Sequence, residues 1–384
     1  MQRENPDIKS VVSGNTAFAV DLYRHLKKIE GNLFLSPYSI SVALAMTYAG
    51  ARGNTETQMA QVLHFAPGQE QLHATFAALE TRLNSIQKAG HIRLSVANSL
   101  WPQKRYPFLQ EYLALMRECY GVVIILVDYT TEAETARKMI NEWVETRTEN
   151  KITELIKPGI LDPLTRLVLV NAIYFKGNWA SKFDAEVTDD APFWVTATNN
   201  ISVPMMNQTR KLLYAQADGI QILELPYAGN DLSMIVLLPK KVDGLAELQE
   251  TLTPERLEKW TSNLEETEVV VFLPRFKMTS EFRLDATLAS MGMPDAFDYL
   301  KANFAGMDSK PDWLYIAVVL HKAFVDVNEE GTEAAAATAV VMKGRGFPQP
   351  PVVFRADHPF LFLIRDNVTR SMLFFGRVVK PVVQ

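Results

Sequence analysis

Residues 329–345 read EEGTEAAAATAVVMKGR, between an alternating apolar run, HKAFVDVN at 321–328, and a glycine- and proline-punctuated one, GRGFPQPP at 344–351. Alanine is the strongest helix former, so propensity alone allows a surface helix here. Taken with a period of two, Thr332, Ala334, Ala336, Thr338, Val340 and Met342 fall on one face, and that face carries no charge. Glu333 and Lys343, the charged residues between Gly331 and Gly344, fall on the other. The tract can therefore join a sheet with a small uncharged face inward. Alanine loses almost no side-chain entropy on burial, and alanine and threonine fill a gap without overpacking it. Left outside a sheet, the following glycines and prolines favour an extended, solvated loop that presents Arg345.

The rest of the chain limits what such a tract serves. It has 384 residues, 48% apolar, enough to bury a large core. A net charge of −5 lacks the basic excess that nucleic acid or an anionic membrane favours, so no nucleic-acid and no membrane partner is expected. The longest apolar runs, such as VVIILV at 122–127, are too short to span a bilayer. The single cysteine, Cys119, has no neighbouring Cys or His and is expected to be a structural thiol. MQRENPDIK at the start lacks the apolar core of a signal peptide.

Helix signals gather early. Phe18, Leu22, Leu26 and Ile29 share a helical face, and Ser36–Pro37 supplies an N-cap with a first-turn proline. Thr55 to Gln58 has capping-box spacing, and Leu72, Phe76, Leu79, Leu83 and Ile86 form the clearest amphipathic stripe. Residues 135–156 are expected to be a charged helix running into a loop. Strand signals begin at 92–100 and at 166–175, the latter apolar on both parities as in a strand buried on both faces. After residue 200 the chain is mostly strand-like, which predicts an α+β fold with large mixed sheets. With no repeat, linker or charge run, one large domain over 1–384 is the simpler organisation.

Catalytic spacings are missing: the chain has no GxSxG, HExxH, Walker loop, dinucleotide glycine fingerprint or CxxC. Its six histidines are scattered, so no metal site is expected, nor any cofactor. Sequons stand at Asn200, Asn207 and Asn367, the last in a segment expected to be a strand turn.

Ordered blocks along the chain resemble the serpin family. They include NLFLSPYSISVALAMTYAGARGNTETQMAQVL at 32–63, INEWVETRTENKITELI at 140–156, LVNAIYFKGNWASKF at 169–183, LPYAGNDLSMIVLLP at 225–239, LPRFKM at 273–278, HKAFVDVNEEGTEAAAATA at 321–339 and HPFLFLIRDNVTRSMLFFGRV at 358–378. The tail EEGTEAAAATA is similar to the hinge of serpins that inhibit. The resemblance implies a single α+β serpin domain: a helix-rich N-terminal part, a large mixed main sheet, two further sheets, and an exposed reactive-centre loop over about 329–354.

It also implies a mechanism, in which a protease is acylated by the loop it cuts and the freed hinge inserts as a new strand of the main sheet. The implied hinge is Glu329, Glu330, Gly331, Thr332, Glu333, Ala334, Ala335, Ala336, Ala337 and Thr338. The family register puts the cut at Arg345–Gly346, with Lys343 as the alternative, and a loop arginine implies a trypsin-like serine protease partner. Ser36, Ser39, Asn171 and His321 match a polar cluster under the sheet-opening region, Trp179 and Arg275 match the region where the loop enters, and Arg275 is expected to form an exposed bridge to Glu329. Two departures are visible: Gly346 follows the cut where serine is frequent, and the segment to Asp357 is long and proline-rich. The helix at 72–87 offers only Arg82 and the nearby Lys88, so no heparin site is expected. An extracellular monomer is the family expectation, with a cytoplasmic protein as the alternative. A noninhibitory binding or chaperone module and a cysteine-protease inhibitor remain open beside the main reading.

Overall fold

The structure, a computed structural model, describes residues 7–310, 314–331 and 351–382, with 95–97 described by backbone alone. Of the implied hinge and scissile bond, Thr332 to Thr338, Lys343, Arg345 and Gly346 lie outside the described residues.

Among the described residues the helices concentrate in the first third: Ile8–Leu26, Pro37–Tyr48, Gly53–Val62, Gln69–Lys88, Gln110–Tyr120 and Tyr129–Arg147. Shorter ones follow, including Pro254–Ser262. The strands in chain order are β1 (Leu33–Leu35), β2 (Ile92–Pro102), β3 (Val123–Ile124), β4 (Leu167–Gly177), β5 (Asp189–Thr196), β6 (Asn199–Ala217) and β7 (Ile220–Pro226). They continue with β8 (Leu232–Pro239), β9 (Glu265–Pro274), β10 (Phe276–Arg283), β11 (Leu320–Val327), β12 (Val352–Arg355), β13 (Phe360–Asp366) and β14 (Met372–Val378).

Several local expectations hold for the stated physical reason. Ser36 caps the Pro37–Tyr48 helix, its Oγ accepting from the Ser39 N–H at 3.1 Å, with Pro37 in the first turn. Leu72, Phe76, Leu79, Leu83 and Ile86 are all buried. Others do not hold. Ile29 lies beyond the end of the first helix and is 46% exposed, because that helix stops at Leu26. No capping box forms at Thr55: the helix already begins at Gly53, and Thr55 Oγ1 instead accepts from the Asn303 N–H at 3.0 Å, a tertiary bond that local spacing does not show. The charged helix expected to run into a loop within 135–156 does so, but it starts earlier and spans Tyr129–Arg147. Asp128 caps it, and Thr148 Oγ1 accepts from the Ile152 N–H, turning the chain away.

The strands make two sheets. The main sheet is mixed, in the order β10-β11-β4-β2-β3. Its central strand β4 is sandwiched, with Ile173 and Phe175 in one apolar cluster and Val170, Ala172 and Tyr174 in another that also holds Ile140 and Val144 of the Tyr129–Arg147 helix. This is why its sequence is apolar on both parities. The second sheet follows the path β1-β14-β13-β8-β7-β6-β9-β12, with β5 paired to β6. The two further sheets expected from the resemblance are thus joined through β6, which pairs with β9 over 205–214 and with β7 over 213–217.

Candidate functional site

The seam between β4 and β11 is the least zipped part of the main sheet. β4 pairs with β2 along its whole length, and β11 with β10 along its whole length. Across the seam the two run parallel and register only at Lys322–Ala172, Ala323–Ile173 and Phe324–Tyr174. Below that contact a cavity of about 120 Å³ opens against residues 314–320, lined among others by Leu161, Val168, Ile316 and Val318.

At the upper end of the seam the chain leaving β11 reverses. Asn328 and Gly331 exchange main-chain hydrogen bonds, and Gly331 then bridges Asn178 in antiparallel sense. The last residue described before the alanine tract thus already runs antiparallel to the end of β4. Glycine is required there: φ is +127°, and a Cβ would lie 2.2 Å from the Gly177 carbonyl oxygen and 2.5 Å from the Trp179 nitrogen. Trp179 anchors this turn with both of its donors. Its main-chain N–H donates to the Glu330 carbonyl at 2.9 Å and its indole N–H to the Asn328 carbonyl at 2.9 Å. Its ring stacks on Tyr227, centroids 4.7 Å apart.

Glu329 is clamped in place. Arg275 Nε donates to its carboxylate at 2.5 Å and Thr188 Oγ1 donates at 2.6 Å, and the residue is 6% exposed. The expected bridge therefore exists, but it is buried at its Glu329 end, where Thr188 and Phe183, whose N–H donates to the Glu329 carbonyl at 2.9 Å, surround the residue, while the Arg275 side chain stays 34% exposed. Glu330 reaches Lys182 at 2.7 Å. Sequence reasoning missed Thr188, Lys182 and Tyr227. Lys182 and Tyr227 lie inside quoted family blocks, but only the fold brings all three to the turn at 328–331 and the Trp179 that anchors it.

Beneath the seam, Ser36, Ser39, Asn171 and His321 come together, all buried. His321 Nε2 accepts from the Ser36 N–H at 3.0 Å, so the other ring nitrogen, 3.2 Å from Asn171 Oδ1, carries the hydrogen and donates it. Asn171 Nδ2 faces Ser39 Oγ at 2.5 Å and Asn98 Oδ1 at 2.9 Å, while Ser36 Oγ donates to the Leu373 carbonyl at 2.6 Å. Burial pushes the His321 imidazole down to about 3, so it is neutral throughout the physiological range. The cluster ties the Pro37–Tyr48 helix to β4, β11 and β14 at the height where the seam is paired.

Away from the seam, Arg82 is committed to Asp366 and Asp231, at 2.7 and 3.0 Å, and is not free for a polyanion. Cys119 is buried. Among the described residues no cluster of three His, Cys, Asp or Glu is placed to hold a metal ion, and no helix is long and apolar enough to cross a membrane.

Comparison with known proteins agrees with this architecture. Residues 13–381 match the family model described as "Serpin (serine protease inhibitor)". The chain is 45% identical to the leukocyte elastase inhibitor of Sus scrofa and 44% identical to that of Homo sapiens, in each case over 97% of this chain and 100% of the relative. Among solved structures it is similar to uncleaved ovalbumin, with a TM-score of 0.86 at 36% identity over 97% of this chain and 100% of that one. Maspin superposes with a TM-score of 0.90 at 28% identity, over 97% and 99%.

Proposed function

The chain belongs to the serpin family, a protease inhibitor rather than an enzyme, and from that premise we propose that it is a suicide-substrate inhibitor of trypsin-like serine proteases, cut at Arg345–Gly346. The observation that carries this reading is the antiparallel bridge of Gly331 to Asn178: the chain enters the seam already in the direction an inserted strand needs.

In this reading the reactive-centre loop starts at about 329 and ends before β12 rather than at 354, because Val352 to Phe354 already pair with β9 and Phe354 is buried. A protease binds Arg345 in a pocket with an acidic base and its serine attacks the Arg345 carbonyl. The bond to Gly346 breaks and an acyl-enzyme forms. The freed hinge, Glu329 to Thr338, then runs on from Gly331 between β4 and β11 and draws the acylated protease with it. Deacylation stalls once the oxyanion hole and triad are distorted. Three features support insertion at this seam. The pairing between β4 and β11 is short, a cavity already lies below it, and Thr332 to Met342 present a face without charge or proline.

The residues around the seam take roles accordingly. The clamp of Glu329 by Arg275 and Thr188 holds the hinge at the mouth before cleavage. The buried cluster of Ser36, Ser39, Asn171 and His321 sets how readily β4 and β11 part. Trp179 fixes the turn from which the hinge enters. Lys343 is the alternative cut, two residues earlier; it shortens the inserted strand and favours turnover over trapping.

Two of the relatives are named for leukocyte elastase. Arg345 instead suits a pocket of opposite charge, so trypsin and elastase are the pair to compare. Those names give a target and no compartment, so extracellular residence forms no part of this reading.

The test is incubation with trypsin near equimolar ratio, followed by denaturing gels and mass spectrometry of the released peptide. A stable covalent complex with a peptide starting at Gly346 is expected. Cleavage without a complex, and with trypsin activity undiminished, would favour a noninhibitory binding module. A complex with elastase, or with a cysteine protease, and none with trypsin would move the target class.

A further inference from the structure

Three sequons lie among the described residues, and the fold treats them differently. Asn200 is the second residue of β6, just after the β5–β6 turn, where Thr196 Oγ1 accepts from the Thr198 and Asn199 N–H groups at 3.4 and 3.1 Å. Side chains at i and i+2 of a strand share a face, and here both Asn200 and Ser202 are exposed. Asn200 makes no side-chain hydrogen bond among the described residues, so a substituent on its Nδ2 displaces none there.

Asn367 is the opposite case. Its Nδ2 donates one hydrogen to the Asn230 carbonyl at 2.9 Å and the other to Ser233 Oγ at 2.8 Å, and its main-chain N–H donates to the Asp231 carbonyl at 2.8 Å. Replacing one Nδ2 hydrogen forfeits a bond that pins the turn after β13. Asn207 sits mid-strand opposite Phe272, with Nδ2 held 2.6 Å from the Val187 carbonyl, so a sugar there has to displace the turn at 185–187.

We propose that Asn200 is an N-glycan acceptor site that the fold leaves open, and that the folded protein carries no glycan at Asn207 or Asn367, where one would displace hydrogen bonds of the native turns. The donor is a lipid-linked oligosaccharide diphosphate. The Asn200 amide nitrogen bonds to C1 of the sugar, the C1–O bond to the lipid diphosphate breaks, the diphosphate leaves with the electron pair, and the amide proton passes to a base. The site works in a compartment that holds oligosaccharyltransferase. This inference is independent of the protease reading.

The experiment is to produce the full chain behind a cleavable secretory leader in a eukaryotic cell. Leader removal, confirmed by N-terminal mass, certifies delivery, and glycosidase treatment in heavy-oxygen water marks each deglycosylated asparagine. One glycan is expected on the secreted, folded protein. It should be lost in Asn200→Gln and in Ser202→Ala and kept in Asn207→Gln and Asn367→Gln, with the cooperative thermal transition unchanged by glycosidase. A leader-free chain without a glycan would overturn the proposal. So would a glycan that survives Asn200→Gln, or a folded secreted protein marked at Asn207 or Asn367.

Discussion

Glu329 and Arg275 are joined at the mouth of the main-sheet seam, carboxylate to guanidinium Nε at 2.5 Å, with Glu329 only 6% exposed. Exposed ion pairs contribute about 0–1 kcal/mol and removing one partner of a fully buried pair costs about 3–5 kcal/mol; with the Arg275 side chain 34% exposed, this pair falls between the two. Glu329→Lys goes further and sets a buried cation beside the partly exposed Arg275. Its expected cost lies between those figures, about 1–3 kcal/mol, and Glu329→Gln, which keeps an acceptor, costs less. The check is the denaturant midpoint of the uncleaved protein for both variants. Equal, small losses would mean that the clamp does not hold the chain at Glu329.

Gly331→Ala is predicted to loosen the same turn. The positive φ costs about 1–3 kcal/mol for a residue with a Cβ, and the contact with the Gly177 carbonyl adds to it. Gly31 provides the control: its φ is +83° with nothing within 4 Å of a Cβ, so Gly31→Ala pays the backbone term alone. Thermal unfolding should place Gly331→Ala clearly below Gly31→Ala. The reverse order would show that the close approach relaxes without penalty.

Stability should fall on mild acidification, and His321 supplies a defined share. The imidazole is held down to about 3 by burial, against an ordinary value of 6.5. A base whose folded pKa is depressed stabilises fully above the unfolded value and loses that contribution as pH falls below 6.5, amounting to about 2 kcal/mol by pH 5. The structural reason is that a proton on Nε2 would face the Ser36 N–H, donor against donor. His73, lowered to about 4 by burial and then by the Arg52 charge, acts in the same direction. Glu80 acts in the opposite one: burial raises it to about 6, against a hydrogen bond from Tyr38 that lowers it, so its contribution improves as pH falls towards 4.5. The discriminating measurement is therefore the slope of unfolding free energy between pH 7 and 5, for the wild type and for His321→Gln. A flatter slope in the variant is expected, and identical slopes would mean that His321 is not the group that titrates.

Arg345→Ala should slow formation of the trypsin complex by about two orders of magnitude or more, because loss of one partner in a desolvated charge pair costs about 2–5 kcal/mol. Lys343→Ala should leave the rate within about fivefold, as for a solvated surface charge. Second-order inhibition rates measure both. Inverted sensitivities would move the cut to Lys343.

Much of this was legible without coordinates because it is local. The apolar parity of β4, the cap at Ser36 and the stripe from Leu72 to Ile86 depend on period and neighbours, which a sequence displays directly. Ordered family blocks carried the fold class, and with it the four residues under the seam. The Thr55 expectation failed for the converse reason: its hydroxyl binds Asn303, a residue 248 positions away.

The sequence by itself determined that residues 332–342 have one uncharged face of small and apolar side chains, and that Arg345 follows at the end of the tract, because alternation and composition are properties of consecutive residues. Tertiary structure alone decided that β4 and β11 meet over only three positions, that Gly331 approaches the seam antiparallel to β4, and that Thr188 and Arg275 bury Glu329 between them. Those outcomes depend on which distant groups reach hydrogen-bonding distance once the core has closed, and such distances are written in no single stretch of the chain.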